Sequence, residues 1–176
     1  MSGEGDSPLI VTARLPADMH ARFTALRTAH FPPERNYLEA HVTLFHALPA
    51  MCEAEACTYL KRIASELAPI EGYVEGIMSL GNGTAIRLGS PGMLLLREMI
   101  ADHFHGLLTQ QDQQRPRLHV TIQNKVSGKE AKVLQASLAG IIEQEEFRFR
   151  GLDLFRYRGG PWEKLKEVSF RGKGIL

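Results

Sequence analysis

His41-Val42-Thr43-Leu44 and His119-Val120-Thr121-Ile122 are one tetrad written twice: histidine, aliphatic, threonine, aliphatic. Side chains in a β-strand alternate between faces. Each tetrad therefore buries its two aliphatics and turns an imidazole and a hydroxyl to the other side. Imidazole is the side chain best suited to moving protons near neutral pH. A hydroxyl two residues along can hydrogen-bond an anionic oxygen. Two such units facing one another make a symmetric acid–base site around a phosphate. One His-x-Thr in a chain with seven histidines carries little weight. The pair, with aliphatics at all four alternate positions, carries much more.

The tetrads lie 78 residues apart, and their surroundings repeat at nearly that offset. Leu9 to Leu15 reads as a strand, followed by a helix with Met19, Phe23, Leu26 and His30 on one face. Ala85 to Leu88 reads as the matching strand, followed by a helix with Leu96, Ile100, Phe104 and Leu107 on one face. After the tetrads, helices are expected over 52–68 and 128–144. Each gives way to extended sequence, from about 70 and about 146. Gly81-Asn82-Gly83 and Gly159-Gly160-Pro161 read as hairpin turns. An extra strand is expected over 164–171.

Strands alternating with helices could make a parallel sheet, but hairpin turns join antiparallel neighbours. The expected fold class is α+β: a duplicated bilobal fold, two antiparallel sheets facing a central cleft, helices outside, and a pseudo-twofold axis. Residues 1–176 read as a single bilobal domain with internal repeats at approximately 8–80 and 84–171. Each half is too small to bury much core alone. His41 and His119 are expected on central strands of different lobes, across one cleft.

Composition narrows the classes. The chain has 176 residues, 44% hydrophobic and 23% charged, with a net charge of +1. No global charge draws it to nucleic acid, so any anion-binding surface must be local. Cys52 and Cys57 read as reduced structural thiols of a cytoplasmic protein. Met1 to Ser7 is small, polar and acidic and reads as a short disordered start. No apolar run is long enough for a signal core or a membrane span, so no membrane partner is expected. No His-Glu-x-x-His pattern, Asp-rich cluster or glycine-rich nucleotide loop appears, so no metal and no cofactor are expected.

The paired His-x-Thr tetrads, about 80 residues apart in a duplicated chain of this size, resemble the 2H phosphoesterase superfamily. The likeness is greatest to its bacterial 2′-5′ RNA ligase and cyclic phosphodiesterase branch, and it runs from Leu9 to Phe170. The resemblance implies metal-independent phosphodiester chemistry by two histidines. Its substrates would be 2′,3′-cyclic or related cyclic phosphates of nucleotides or RNA ends, or 2′-5′ linkages, with reversal as a ligase. It marks His41, Thr43, His119 and Thr121 as catalytic. That branch often carries an arginine shortly after the second motif. Here the segment is Gln123-Asn124-Lys125, and lysine lacks the bidentate fork of arginine.

Strand parity extends the candidate site. Arg115, Arg117, His119, Thr121, Gln123 and Lys125 share one parity; Tyr37, Glu39, His41, Thr43 and Phe45 share another. If the strands run that far, Arg115, Arg117 and Lys125 bind the phosphate region and Phe45 stacks on a base. His46 has the opposite parity to His41. The segment Phe155 to Trp162 reads as a solvated hairpin with Trp162 packed. A monomer is expected. Two other readings stay open: a non-catalytic module that binds RNA ends or nucleotides in the same cleft, and a metal-dependent hydrolase with His41 and His119 as ligands.

Overall fold

The computed structural model describes residues 6–176. The disordered start expected over 1–7 falls mostly outside them. The first half of the chain forms β1 (Leu9–Arg14), α1 (Ala17–His30), β2 (Val42–Leu48), α2 (Glu53–Glu66) and β3 (Ile70–Ser79). The second forms β4 (Thr84–Gly89), α3 (Pro91–His103), β5 (His119–Gln123), α4 (Gly128–Leu138), β6 (Glu146–Phe149), β7 (Gly151–Tyr157) and β8 (Trp162–Ser169). No helix among the described residues is long and apolar enough to cross a membrane.

Local chemistry explains the boundaries. Ser90 caps α3 by accepting the Met93 N–H at 3.1 Å, with Pro91 in the first turn, where its missing N–H costs nothing. Ser127 caps α4 in the same way, accepting the Glu130 N–H at 3.1 Å. That helix stops at Leu138, short of the expected 144. Gly140 follows, and Ile141, inside the expected helix, is 65% exposed. Both expected hairpins form. The Leu80 N–H donates to the Gly83 carbonyl at 3.0 Å, and the Arg158 N–H to the Pro161 carbonyl at 2.9 Å. Gly81 and Gly159 take φ of 80° and 81°, left-handed values that favour glycine.

The strands build two four-stranded antiparallel sheets, ordered β2-β1-β7-β8 and β5-β4-β3-β6. The α+β architecture is as the alternation and turns indicated. Each sheet, however, mixes strands from both halves of the chain: β7 and β8 join β1 and β2, while β3 joins β4 and β5. The consequence for the motifs is a correction. β2 and β5 are not central strands. They are edge strands, one in each sheet, and these two edges touch each other.

Both motif strands also carry a bulge immediately after the threonine. Thr43 lies opposite Thr12, but the next partner, Val11, lies opposite Phe45. Thr121 lies opposite Ala85, but Thr84 lies opposite Gln123. Each bulge inserts one residue and reverses the alternation beyond it. This overturns the parity assigned to Phe45. Its side chain is fully buried in the core, under the Arg97 guanidinium, 4.3 Å from ring centroid to Cζ, and presents no face to a base. Gln123 is buried likewise, and its Oε1 accepts the Thr84 hydroxyl proton at 3.0 Å. His46, read as facing away, is exposed after the flip.

The core beneath is continuous. It takes Val42, Leu44 and Phe45 from β2, Val120 and Ile122 from β5, and Met19, Phe23, Leu96 and Ile100 from α1 and α3. The outcome expected from Phe45→Ala is therefore a stability loss of about 3–5 kcal/mol, the cost of a large core cavity. Urea unfolding measures it; a normal midpoint with a selective binding defect would restore the stacking role.

Candidate active site

His41 stands one residue before β2, and His119 opens β5. The two imidazoles are held alike. His41 Nδ1 lies 2.8 Å from the carbonyl of Glu39, and His119 Nδ1 lies 2.6 Å from the carbonyl of Arg117. A carbonyl can only accept, so Nδ1 carries the proton in both rings and donates it two residues upstream. Each ring is left with Nε2 free for proton transfer. The geometry thus assigns the same tautomer at both sites, one per repeat.

Their environments differ. His41 is half-buried and packs on the Trp162 indole, with ring centroids 4.6 Å apart and a tilt of 55°. Burial pushes its pKa down to about 4, against the Glu39 carbonyl, which favours the proton. The positive charges of Arg27, His119 and His46 push in the same direction as burial. The influence of His119 on His41 reflects their proximity across the junction between the sheets. Thr43 and Thr121 follow their histidines on the same faces, each partly exposed.

The other sequence-predicted residues are distributed around this centre. Arg115 and Arg117 are exposed on the segment leading into β5, and Arg117 also supplies the carbonyl that holds His119. Lys125 is exposed in the turn after β5 with a φ of 61°, and its N–H bonds to Asn124 Oδ1 at 2.9 Å. Phe45 lies in the core, away from them all. Trp162, read as merely packed in a hairpin, reaches the His41 ring. A Cβ at Gly160, at the turn of that hairpin, would lie 3.4 Å from the Tyr37 ring.

A cleft of about 940 Å³ opens beside His41 over the exposed face of the first sheet. Tyr37, Phe155 and Trp162 give it aromatic walls, and Arg14, Asp153 and Lys164 form part of its lining. Arg14 holds Asp153 at 2.8 Å and Ser169 Oγ at 2.8 Å. Burial raises the Asp153 pKa even against the charges of Arg14 and Lys164. The cleft thus offers aromatic surface and an ion-paired floor, the mixture found in small-molecule sites. Among the described residues, no three His, Cys, Asp or Glu side chains converge in a group that could hold a metal ion.

Sequence reading missed the groups that secure the motif strands. The Arg27 Nη1 donates to the carbonyl of Thr121 at 3.0 Å, and the Arg97 Nε donates to the carbonyl of Leu44 at 3.3 Å. Asp112, 1% exposed, accepts the N–H groups of His46 and Ala47, each at 2.9 Å at its shorter contact. Burial raises the Asp112 pKa, but the hydrogen bonds from His46 and Ala47 outweigh it and hold the carboxyl below its usual range. The available signal was spacing: Arg27 continues the buried series Met19, Phe23, and Arg97 follows Met93. A cation on an apolar helix face is a charge with a buried partner.

This fold has known counterparts. The sequence matches the 2′-5′ RNA ligase superfamily over residues 15–161, and the chain belongs to that family, the 2H phosphoesterases. No curated protein sequence is similar enough to count as a relative. Among solved structures, TT0787 of Thermus thermophilus is similar at 18% identity and a TM-score of 0.64, covering 95% of this chain and 100% of that one. E. coli LigT in complex with 3′-AMP is similar at 18% identity and a TM-score of 0.60, covering 94% and 98%. LigT complexed with NADP+ gives 17% identity and a TM-score of 0.58, covering 94% and 99%. At such identities the likeness is one of fold.

The tautomers are directly testable. Nitrogen-15 NMR of the imidazoles should show both His41 and His119 protonated on Nδ1 in their neutral forms. His41 should stay neutral as pH falls until about 4. An Nε2-protonated neutral ring at either position would contradict the assigned hydrogen bonds.

Proposed function

We propose that the protein is a metal-independent phosphodiesterase that opens 2′,3′-cyclic or related cyclic phosphates of nucleotides or RNA ends, and that the same site joins ends in a 2′-5′ linkage, reversibly, when the alcohol of a second RNA end replaces water as the nucleophile. The observation that carries this reading is the matched pinning of two imidazoles. Each gives its Nδ1 proton to a carbonyl two residues back, and the two belong to strands that touch. Membership of the family and the nucleotides bound by LigT, 3′-AMP and NADP+, support a nucleotide-like substrate.

In-line opening of a cyclic phosphodiester needs a base on one side of phosphorus and an acid on the other. His41 is neutral at neutral pH, so it starts as the base and takes the water proton on Nε2. The new P–O bond forms as the bond to one ribose oxygen breaks. His119 gives its Nε2 proton to that departing oxygen. Thr43 and Thr121 donate hydroxyl protons to the non-bridging oxygens, where charge grows in the transition state. Arg115, Arg117 and Lys125 lie on the His119 side, where the nucleoside that bears the departing oxygen, and its chain, would be held. On the His41 side, the cleft gives the nucleophile more room than water needs. With the alcohol of an RNA end in place of water, the same attack forms a 2′-5′ linkage, and cleavage of that linkage follows by microscopic reversibility.

His41→Ala and His119→Ala should each lower kcat/KM for a 2′,3′-cyclic nucleotide by about 10²–10⁴, the usual worth of a positioned acid or base. The double variant should be little worse than either single one, because the two act as a unit. Thr43→Ala and Thr121→Ala should do less harm. A single-histidine variant with near wild-type turnover, or tight nucleotide binding with no turnover by the wild type, would refute the reading.

The pH profile should be bell-shaped, its limbs belonging to the coupled pair. The base is lost on protonation, so kcat/KM should fall as pH drops through about 4. Activity should survive EDTA; loss in EDTA that one divalent metal restores would favour the metallohydrolase alternative.

A further inference from the structure

Two buried arginines lie on the corresponding helices of the two halves. Arg27 lies on α1 and Arg97 on α3, and both are 4% exposed. Each reaches out of its own half to a carbonyl of the other half's motif strand: Arg27 to Thr121, and Arg97 to Leu44. Each guanidinium is also fixed from a second side and over a ring. Arg27 Nε donates to Asn36 Oδ1 at 2.9 Å, and its Cζ lies 4.0 Å from the Phe31 ring centroid. Arg97 donates to the Asp112 carbonyl and covers Phe45. The bonds cross, so the first half's helix holds the second motif and the second half's helix holds the first.

We propose that Arg27 and Arg97 are positioning residues of the reaction, a crossed pair of tethers that fixes the gap between the His41 and His119 imidazoles. The proposal rests on the two-histidine reading above. Three geometric facts support it. Both acceptors are tetrad residues, Thr121 the third of its motif and Leu44 the fourth of its own. Both strands are sheet edges whose mutual spacing no β-ladder sets. A guanidinium fork is planar and rigid, so it transmits a distance that an ammonium would not. Where two groups must address opposite sides of one phosphorus, a displacement of about 1 Å can cost on the order of 10²-fold in rate.

Arg27 has a second effect that Arg97 does not share. Its charge bears on His41 and opposes protonation of that ring. The other charges that bear on His41 are those of His119 on β5 and His46 on β2; Glu39, His20 and Arg14 are among the charged residues that line the cleft beside it. The Glu39 carboxylate sits against His20 Nε2 at 3.3 Å. Of these groups, Arg27 exerts the largest charge effect on His41.

The test uses the full chain, with a 2′,3′-cyclic nucleotide as substrate and four variants: R27K, R27M, R97K and R97M. The lysine variants keep a buried cation and guard against simple unfolding. Both should lose at least 10-fold in kcat with KM changed less than threefold, while circular dichroism and the thermal midpoint stay near wild type. R27M should additionally move the acid limb of the pH profile, and the His41 imidazole titration seen by NMR, to higher pH; R97M should not. Unchanged kcat in the folded lysine variants would overturn the tether. An unmoved His41 titration in R27M would overturn the role of its charge. If the wild type itself turns over no cyclic phosphodiester, the functional reading fails, and the NMR titration still decides the charge effect.

Discussion

An edge strand has backbone groups with no ladder partner, and in this fold both catalytic candidates sit at such edges. An unpaired buried carbonyl costs on the order of 1–3 kcal/mol and leaves its strand free to shift. The structure meets that constraint with side chains. Arg27 and Arg97 supply donors to the carbonyls of Thr121 and Leu44, and Asp112 supplies acceptors to the N–H groups of His46 and Ala47. Three buried charged residues thus replace the missing neighbour strands. The exchange leaves the outer edges of β2 and β5 without a strand partner, while their aliphatic faces stay packed in the core. The bulges after Thr43 and Thr121 end the alternation there, so the strand presents one histidine and one threonine and then turns apolar again.

The duplication is symmetric in its bonding and asymmetric in its surroundings. Both imidazoles are held through Nδ1 by a carbonyl two residues upstream. Only His41 carries an indole against its ring and a wide cleft at its side. A symmetric pair of histidines could not by itself divide the work between base and acid. In the proposed mechanism the division follows from burial and local charge, which hold the His41 proton off.

Much of this was legible in the sequence because it depends on local pattern. The tetrads, their alternation, the helices that flank them and the glycine turns at 81–83 and 159–161 all act within a few residues. The fold class followed from the turns, since hairpins demand antiparallel neighbours. What escaped depends on long-range pairing. Nothing local says that β3 pairs into the second sheet or that β7 and β8 return to the first, and this exchange is what puts the motif strands at the edges. A bulge is likewise set by the partner strand. Phe45 therefore looked outward by parity and lies in the core. Arg27 and Arg97 were visible as charges on apolar helix faces, but their partners, 94 and 53 residues away, were not.

The central claim is that two motifs from two repeats form one site around one phosphate. The most direct measurement is a titration of the protein with inorganic vanadate, a phosphate mimic, following the Nε2 resonances of both histidines by NMR. One shared site predicts that His41 and His119 shift together on a single isotherm with a stoichiometry of one, and that Arg97→Met weakens both shifts in parallel. Shifts at one histidine alone, or two independent isotherms, would contradict it.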